Sequence, residues 1–188
     1  MFKRLTCLLL LSVLLGGGFR TLAQKQGQAA VDSMLIDLKK STEDTNKVKL
    51  LKYLSYQYSN IDPAEGIKYG EMSLVLATKL NWKKGIAYAN VNIAVNYLNQ
   101  SDFPKALELN KRALALFEQE ADKRGLSVVL NNIGMVLLNK SDYNEAANYF
   151  ERSSKIAEEM GDIDGQAYEI GNLAIVYNAK SDYAKAQE

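Results

Sequence analysis

Histidine is absent from all 188 residues, and cysteine occurs once, at Cys7. Without an imidazole there is no histidine general base, no histidine metal ligand and no phospho-acceptor histidine. Cys7 sits in an apolar run near the N-terminus, so the rest of the chain offers no thiol nucleophile, thiolate metal site or disulfide. The glycines form neither a G-x-G-x-x-G turn nor a P-loop, which removes the common phosphate cradles. A charge excess is missing too. The 23 Lys+Arg and 22 Asp+Glu leave a formal net charge of +1, no electrostatic footprint for nucleic acid. Glu158-Glu159 is an adjacent acid pair on the flank of a helical pattern, where a solvated face accounts for it. Together these gaps predict a chain that is not an enzyme and holds no cofactor and no metal.

The first residues read as a leader. Lys3 and Arg4 precede an apolar run from Leu5 to Leu15, Gly16-Gly17-Gly18 breaks it, and Thr21-Leu22-Ala23 supplies small residues before Gln24. That layout predicts a signal peptide over residues 1–23, cleaved near Ala23, and an exported, periplasmic product. The run is shorter than the ~20 residues a membrane-spanning helix needs, and an uncleaved N-terminal anchor is the alternative. Cys7 does not directly follow the cleavage site, so a lipid anchor there is excluded. Cleavage would remove Lys3, Arg4 and Arg20 and turn the balance slightly acidic. Within the following segment, residues 24–43, Ala30–Lys40 carries Val31, Met34, Leu35 and Leu38 on one face and predicts a capping helix.

Beyond it a forty-residue period governs the chain. Ser-Asp recurs at Ser101-Asp102, Ser141-Asp142 and Ser181-Asp182, and the same interval separates Gly85, Gly125 and Gly165. Asn92, Asn132 and Asn172 repeat in step, as do Ala106, Ala146 and Ala186. A fixed period of this size marks a stacked array in which each unit buries its apolar face on a neighbour. Each unit holds two helical patterns. In Arg124–Asn139 the apolar residues Leu126, Val129, Leu130, Ile133, Val136 and Leu137 follow i, i+3, i+4 spacing. After a break, Tyr143, Ala146, Ala147, Phe150, Ile156 and Ala157 trace a second stripe. Asp62, Asp122, Asp142 and Asp162 read as N-caps, with Glu65 and Glu145 completing capping boxes and Pro63 at a first helical position. Gly161 suits a left-handed helix stop. The small residues Ala94, Gly134 and Ala174 pair with Ala106, Ala146 and Ala186 and predict close helix packing. The sequons Asn99-Gln100-Ser101 and Asn139-Lys140-Ser141 recur because the turn recurs, and are read as structural.

These residues resemble the tetratricopeptide repeat family. The triplets Ile93-Ala94-Tyr97, Ile133-Gly134-Leu137 and Leu173-Ala174-Tyr177 follow its apolar, small, aromatic order, with Leu54-Ser55-Tyr58 as a looser copy. Phe150 fits the later aromatic position, Asn110 departs from it, and Glu118 and Glu158 stand where the family has proline. The period is longer than the usual ~34 residues, so the likeness is to the longer-helix variety. The resemblance implies an all-α fold, a right-handed superhelical solenoid of antiparallel helix pairs. Its units are 44–81, 82–121, 122–161 and an incomplete 162–188.

The resemblance also implies a binding surface. First helices of such arrays line a concave groove, and Asn92, Asn132 and Asn172 take the position where longer-repeat relatives hold the backbone of an extended peptide. An amide side chain has the donors and the acceptor to match a peptide unit, although hydrogen bonds that serve the stack are an equal use. Helical spacing places Tyr88, Tyr168, Asn131, Met135 and Asn139 on the same face, and Lys49 and Lys52 at matching positions of the first copy, available to an acidic group of a ligand. Val91, Val95 and Tyr88 occupy positions that clamp a C-terminal carboxylate in other members, so an extended apolar–polar peptide fits better. The expected partner is a protein or peptide, with neither nucleic acid nor a small-molecule cofactor. The alternative is the sensor portion of a larger bacterial signalling protein. There the chain continues past Glu188, through a membrane segment, to a kinase, cyclase or DNA-binding output.

Overall fold

A computed structural model describes residues 28–180. The expected leader and the second helix of the fourth unit lie outside the described residues. The chain divides into two units, Met1–Ser41 and Thr42–Glu188. In the first, helix α1 covers 28–40. The second contains α2 (Thr45–Tyr58), α3 (Pro63–Lys79), α4 (Lys83–Asn99), α5 (Phe103–Gln119), α6 (Lys123–Asn139), α7 (Tyr143–Met160) and α8 (Ile163–Ala179). Among the described residues there is no strand.

The turns explain why Ser-Asp repeats. Asn81, Ser101, Ala121, Ser141 and Gly161 all take left-handed backbone, with φ of 51°, 61°, 50°, 64° and 67°. The next residue donates its N–H five residues back, from Trp82 to Ala77, Asp102 to Tyr97, Asp122 to Phe117, Asp142 to Leu137 and Asp162 to Ala157. This is a Schellman closure, in which a left-handed residue lets two amides satisfy the last carbonyls of the helix. The aspartate then opens the next helix. Asp102, Asp122 and Asp162 accept from the amides of Lys105, Gly125 and Gly165. One residue therefore ends one helix and caps the next, and the joint needs no longer loop. Asp62 and Asp44 cap α3 and α2 in the same way. Asp142 differs from expectation. Its carboxylate makes no cap bond to α7 and is held by Lys140 Nζ at 2.7 Å, a competitor within reach on the same turn.

Within each pair the helices are antiparallel neighbours, and each second helix packs against the first helix of the next pair. The core runs through these contacts as one stripe, including Ala87, Val91, Phe117, Val129, Ile133, Leu137, Phe150 and Val176. Gly125 and Gly134 let it close. A Cβ on Gly125 would stand 2.2 Å from the buried Phe117 ring, and one on Gly134 would stand 2.6 Å from Phe150. Asn110, at the position equivalent to Phe150, is buried in the second unit. The first helices also touch one another, α2 on α4 and α4 on α6. They form a contiguous row, and the side chains on its free face are the ones a ligand would meet.

Candidate functional site

A helix in the row has one flank against its predecessor, one against its partner and one left open. On α6 the open positions are Arg124, Val128, Asn131, Met135 and Asn139, spaced i, i+4, i+7, i+11 and i+15 as one face of an α-helix requires. Shifting by forty gives Lys84, Tyr88, Val91, Val95 and Asn99 on α4, of which Val91 is buried in the core, and Asp164, Tyr168, Gly171, Ile175 and Ala179 on α8. In α2 the equivalents are one residue closer, at Lys49, Lys52 and Tyr56. Large apolar groups stand exposed along this face. Tyr56 is 53% exposed, Val128 39%, Tyr168 61% and Ile175 54%. A column of aromatic and aliphatic side chains in water is a cost unless a partner covers it.

The asparagines do not line up on that face. Asn92 is 8% exposed, and its Nδ2 donates to Lys52 O at 2.7 Å across the α4–α2 joint. Asn96, fully buried, donates to Ser55 O, and Asn99 to Ser59 O. These three amides clip α4 onto the backbone of the preceding first helix. Asn172 is also buried, with Nδ2 3.2 Å from Glu169 Oε2. Asn132 alone is half-buried, with no hydrogen bond among the described residues. The position chosen from the sequence is thus buried in two of three units, bonded to the neighbouring helix at Asn92 and to its own helix at Asn172.

The other expected residues do share the open face, with differing freedom. Tyr88 is half-buried, its ring edge-on to Phe117 at 4.9 Å between centroids. Burial raises its phenol pKa, and the Asp122 carboxylate adds to the shift. Met135 is packed partly against the core, whereas Asn139 is exposed and donates to Met135 O of its own helix. Asn131 is half-buried and donates to both carboxylate oxygens of Glu169 at 2.9 Å. Glu169 is itself 3% exposed, with the Ser153 hydroxyl 2.8 Å from Oε1, so neutral donors surround a buried acid that joins α6, α7 and α8. Lys49 is exposed. Lys52 is half-buried beneath two rings, its Nζ 4.6 Å from the Tyr53 centroid and 4.8 Å from that of Tyr88. Burial lowers its pKa, and the cations Lys49 and Lys84 push the same way.

Tyr53, Tyr56, Val128, Ile175 and Glu169 were not anticipated. Val128 and Ile175 were findable, since they stand forty residues after Tyr88 and Met135. A second concavity, about 580 Å³, lies between α2 and α3 with Leu51, Met72, Val75 and Leu76 among its lining residues. Met72 and Val75 sit at i, i+3 on α3, and nothing repeats them in later units. Among the described residues no group of three or more His, Cys, Asp and Glu side chains could hold a metal ion. None of the described helices is long and apolar enough to cross a membrane.

Residues 85–159 match the family model described as tetratricopeptide repeat. A search of curated proteins finds no match. Solved structures similar to this chain include BtubC (BKLC) from P. vanneervenii. It is 19% identical over 86% of this chain and 69% of that one, with a TM-score of 0.70. A Rap protein complexed with Competence and Sporulation Factor is 22% identical with a TM-score of 0.79; the match covers 90% of this chain and 48% of that one. The TPR-like repeats of a kinesin light chain from Podosopora anserina are 15% identical over 87% and 83%, with a TM-score of 0.67. At these identities the likeness is one of fold.

Proposed function

We propose that this chain, a member of the tetratricopeptide repeat family, is an interaction scaffold that holds an extended peptide or partner segment along the open face of α2, α4, α6 and α8. The observation that carries the reading is the exposed column Tyr56, Val128, Tyr168 and Ile175 on a row of helices fixed in forty-residue register. An extended chain advances ~3.3 Å per residue, so one reaching several helices presents a side chain to each in turn. Aromatic residues give such contacts large area at low entropic cost. The fold's likeness to a Rap protein held in complex with a separate factor supports a recognition role. Export rests on the leader pattern of residues 1–23, and a mature N-terminus at Gln24 by terminal sequencing of the native product is its test.

The test is to select linear peptides from a random display library on the full chain, then attach a photoreactive group to an enriched peptide. Cross-links at Tyr56, Val128, Met135, Tyr168 or Ile175 are expected. Cross-links confined to α3, α5 and α7, for instance at Val75 or Lys111, would move the interface to the second helices and overturn the reading.

A further inference from the structure

From the lysines gathered at the first joint of the row we infer a subsite for an acidic side chain, an aspartate or glutamate of the bound peptide, at Lys52 between Tyr53 and Tyr88. The inference rests on the peptide-scaffold reading and adds the chemistry of one ligand residue.

Three ammonium groups meet where α2 touches α4. Lys49, Lys52 and Lys84 lie close enough that the first and third act electrostatically on the second. Lys84 has a counter-ion, its Nζ 2.7 Å from Asp122 Oδ2. Lys49 stabilises the nearby Asp44 carboxylate. Lys52 has none: among the described residues its ammonium forms no ion pair and instead lies over the uncharged ring faces of Tyr53 and Tyr88. Ring faces attract a cation but do not neutralise it. A half-buried cation beside two like charges is short of an anion, and the missing group is on the side of the open face.

A carboxylate fits the gap better than an apolar group, which would bury the charge further without pairing it. A side chain fits better than a chain end. Tyr53 and Tyr56 are exposed on α2 beside and beyond Lys52, surface along which a peptide can continue. Asn92, an amide at the same joint that would help clasp a terminal carboxylate, already donates to Lys52 O. Aromatic neighbours flank the pair, screen it from water and strengthen the attraction.

The test uses enriched library peptides, made with amidated C-termini, and measures their affinity for the full chain. Enriched sequences are expected to carry Asp or Glu at one register beside apolar residues. Replacing that acid by its amide, or Lys52→Met in the protein, should each weaken binding roughly tenfold, and the two together no more than either alone. Lys52→Arg should retain most of the affinity. The thermal midpoint of Lys52→Met should not fall, since a half-buried charge is removed and its stem retained. If Lys52→Met does not fold, the acid-to-amide change on the unaltered protein still decides. Additive effects, or enriched peptides indifferent to Lys52, would overturn the subsite while leaving the scaffold reading intact. A requirement for a free C-terminus would overturn the side-chain assignment. No enriched peptides at all would overturn both.

Discussion

Three asparagines decide how α4 sits on α2. Asn92, Asn96 and Asn99 each donate to a carbonyl of the preceding first helix, and each bond contributes about 1 kcal/mol net. Asn92→Ala should therefore lower the thermal midpoint by roughly 2–6 °C and leave the peptide affinity of the folded protein unchanged. Scanning calorimetry beside a binding titration checks both halves. Reduced affinity at constant melting would return Asn92 to the ligand. Asp122 supports a second prediction. Burial alone would raise its pKa, but the Lys84 ammonium and the Gly125 amide outweigh it and hold the carboxyl below its ordinary value. A depressed carboxyl stabilises the fold above the usual carboxylate range and loses that contribution as pH falls through the depressed value. Asp122→Asn keeps an N-cap oxygen and loses the ion pair with a half-exposed lysine. It should be less stable by up to about 1 kcal/mol near neutral pH, with the difference closing below about pH 4. Urea unfolding at a series of pH values checks the sign.

At the scale of the helix, the joint is the unit of design. Each turn from α3 onward places one left-handed residue before the residue that closes one helix and starts the next. Glycine fills that place only at Gly161, where an added Cβ would meet nothing within 4 Å. Gly161→Ala should then cost about 1 kcal/mol from backbone strain alone, and Ala121→Gly should stabilise by about 0.5–1 kcal/mol, both read from unfolding midpoints. Gly134→Ala tests packing instead, because its Cβ would intrude on Phe150; a loss of about 1–3 kcal/mol is expected. The repeat period and most N-caps were legible in the sequence because Asp, Gly and Ala are selected by local backbone and close contact. The diversion of Asp142 to Lys140 was not, since it is a rotamer choice between two nearby donors.

At the scale of the molecule, periodicity told which residues share a helix face but not which flank meets the next helix. Asn132 lies one residue, ~100° of helix, from the half-buried Asn131 and four from the exposed Val128, and a rotation of that size decides whether a side chain faces solvent or the neighbouring helix. Tyr168 and Met135 were readable because their positions fall inside the open arc, while Glu169 was hidden because burying a carboxylate needs donors from two other helices. What the row then offers is exposed apolar and aromatic groups on α2, α6 and α8, with Lys52 at its first joint in no ion pair among the described residues. The central claim is that this face, rather than the second helices, receives the partner. The measurement is the dissociation constant of an enriched library peptide for Val128→Glu and for Lys111→Glu, both exposed substitutions, each with its melting temperature. The account predicts at least a tenfold loss for Val128→Glu, little change for Lys111→Glu, and melting within a few degrees for both. Equal affinities, or a loss confined to Lys111→Glu, would contradict it.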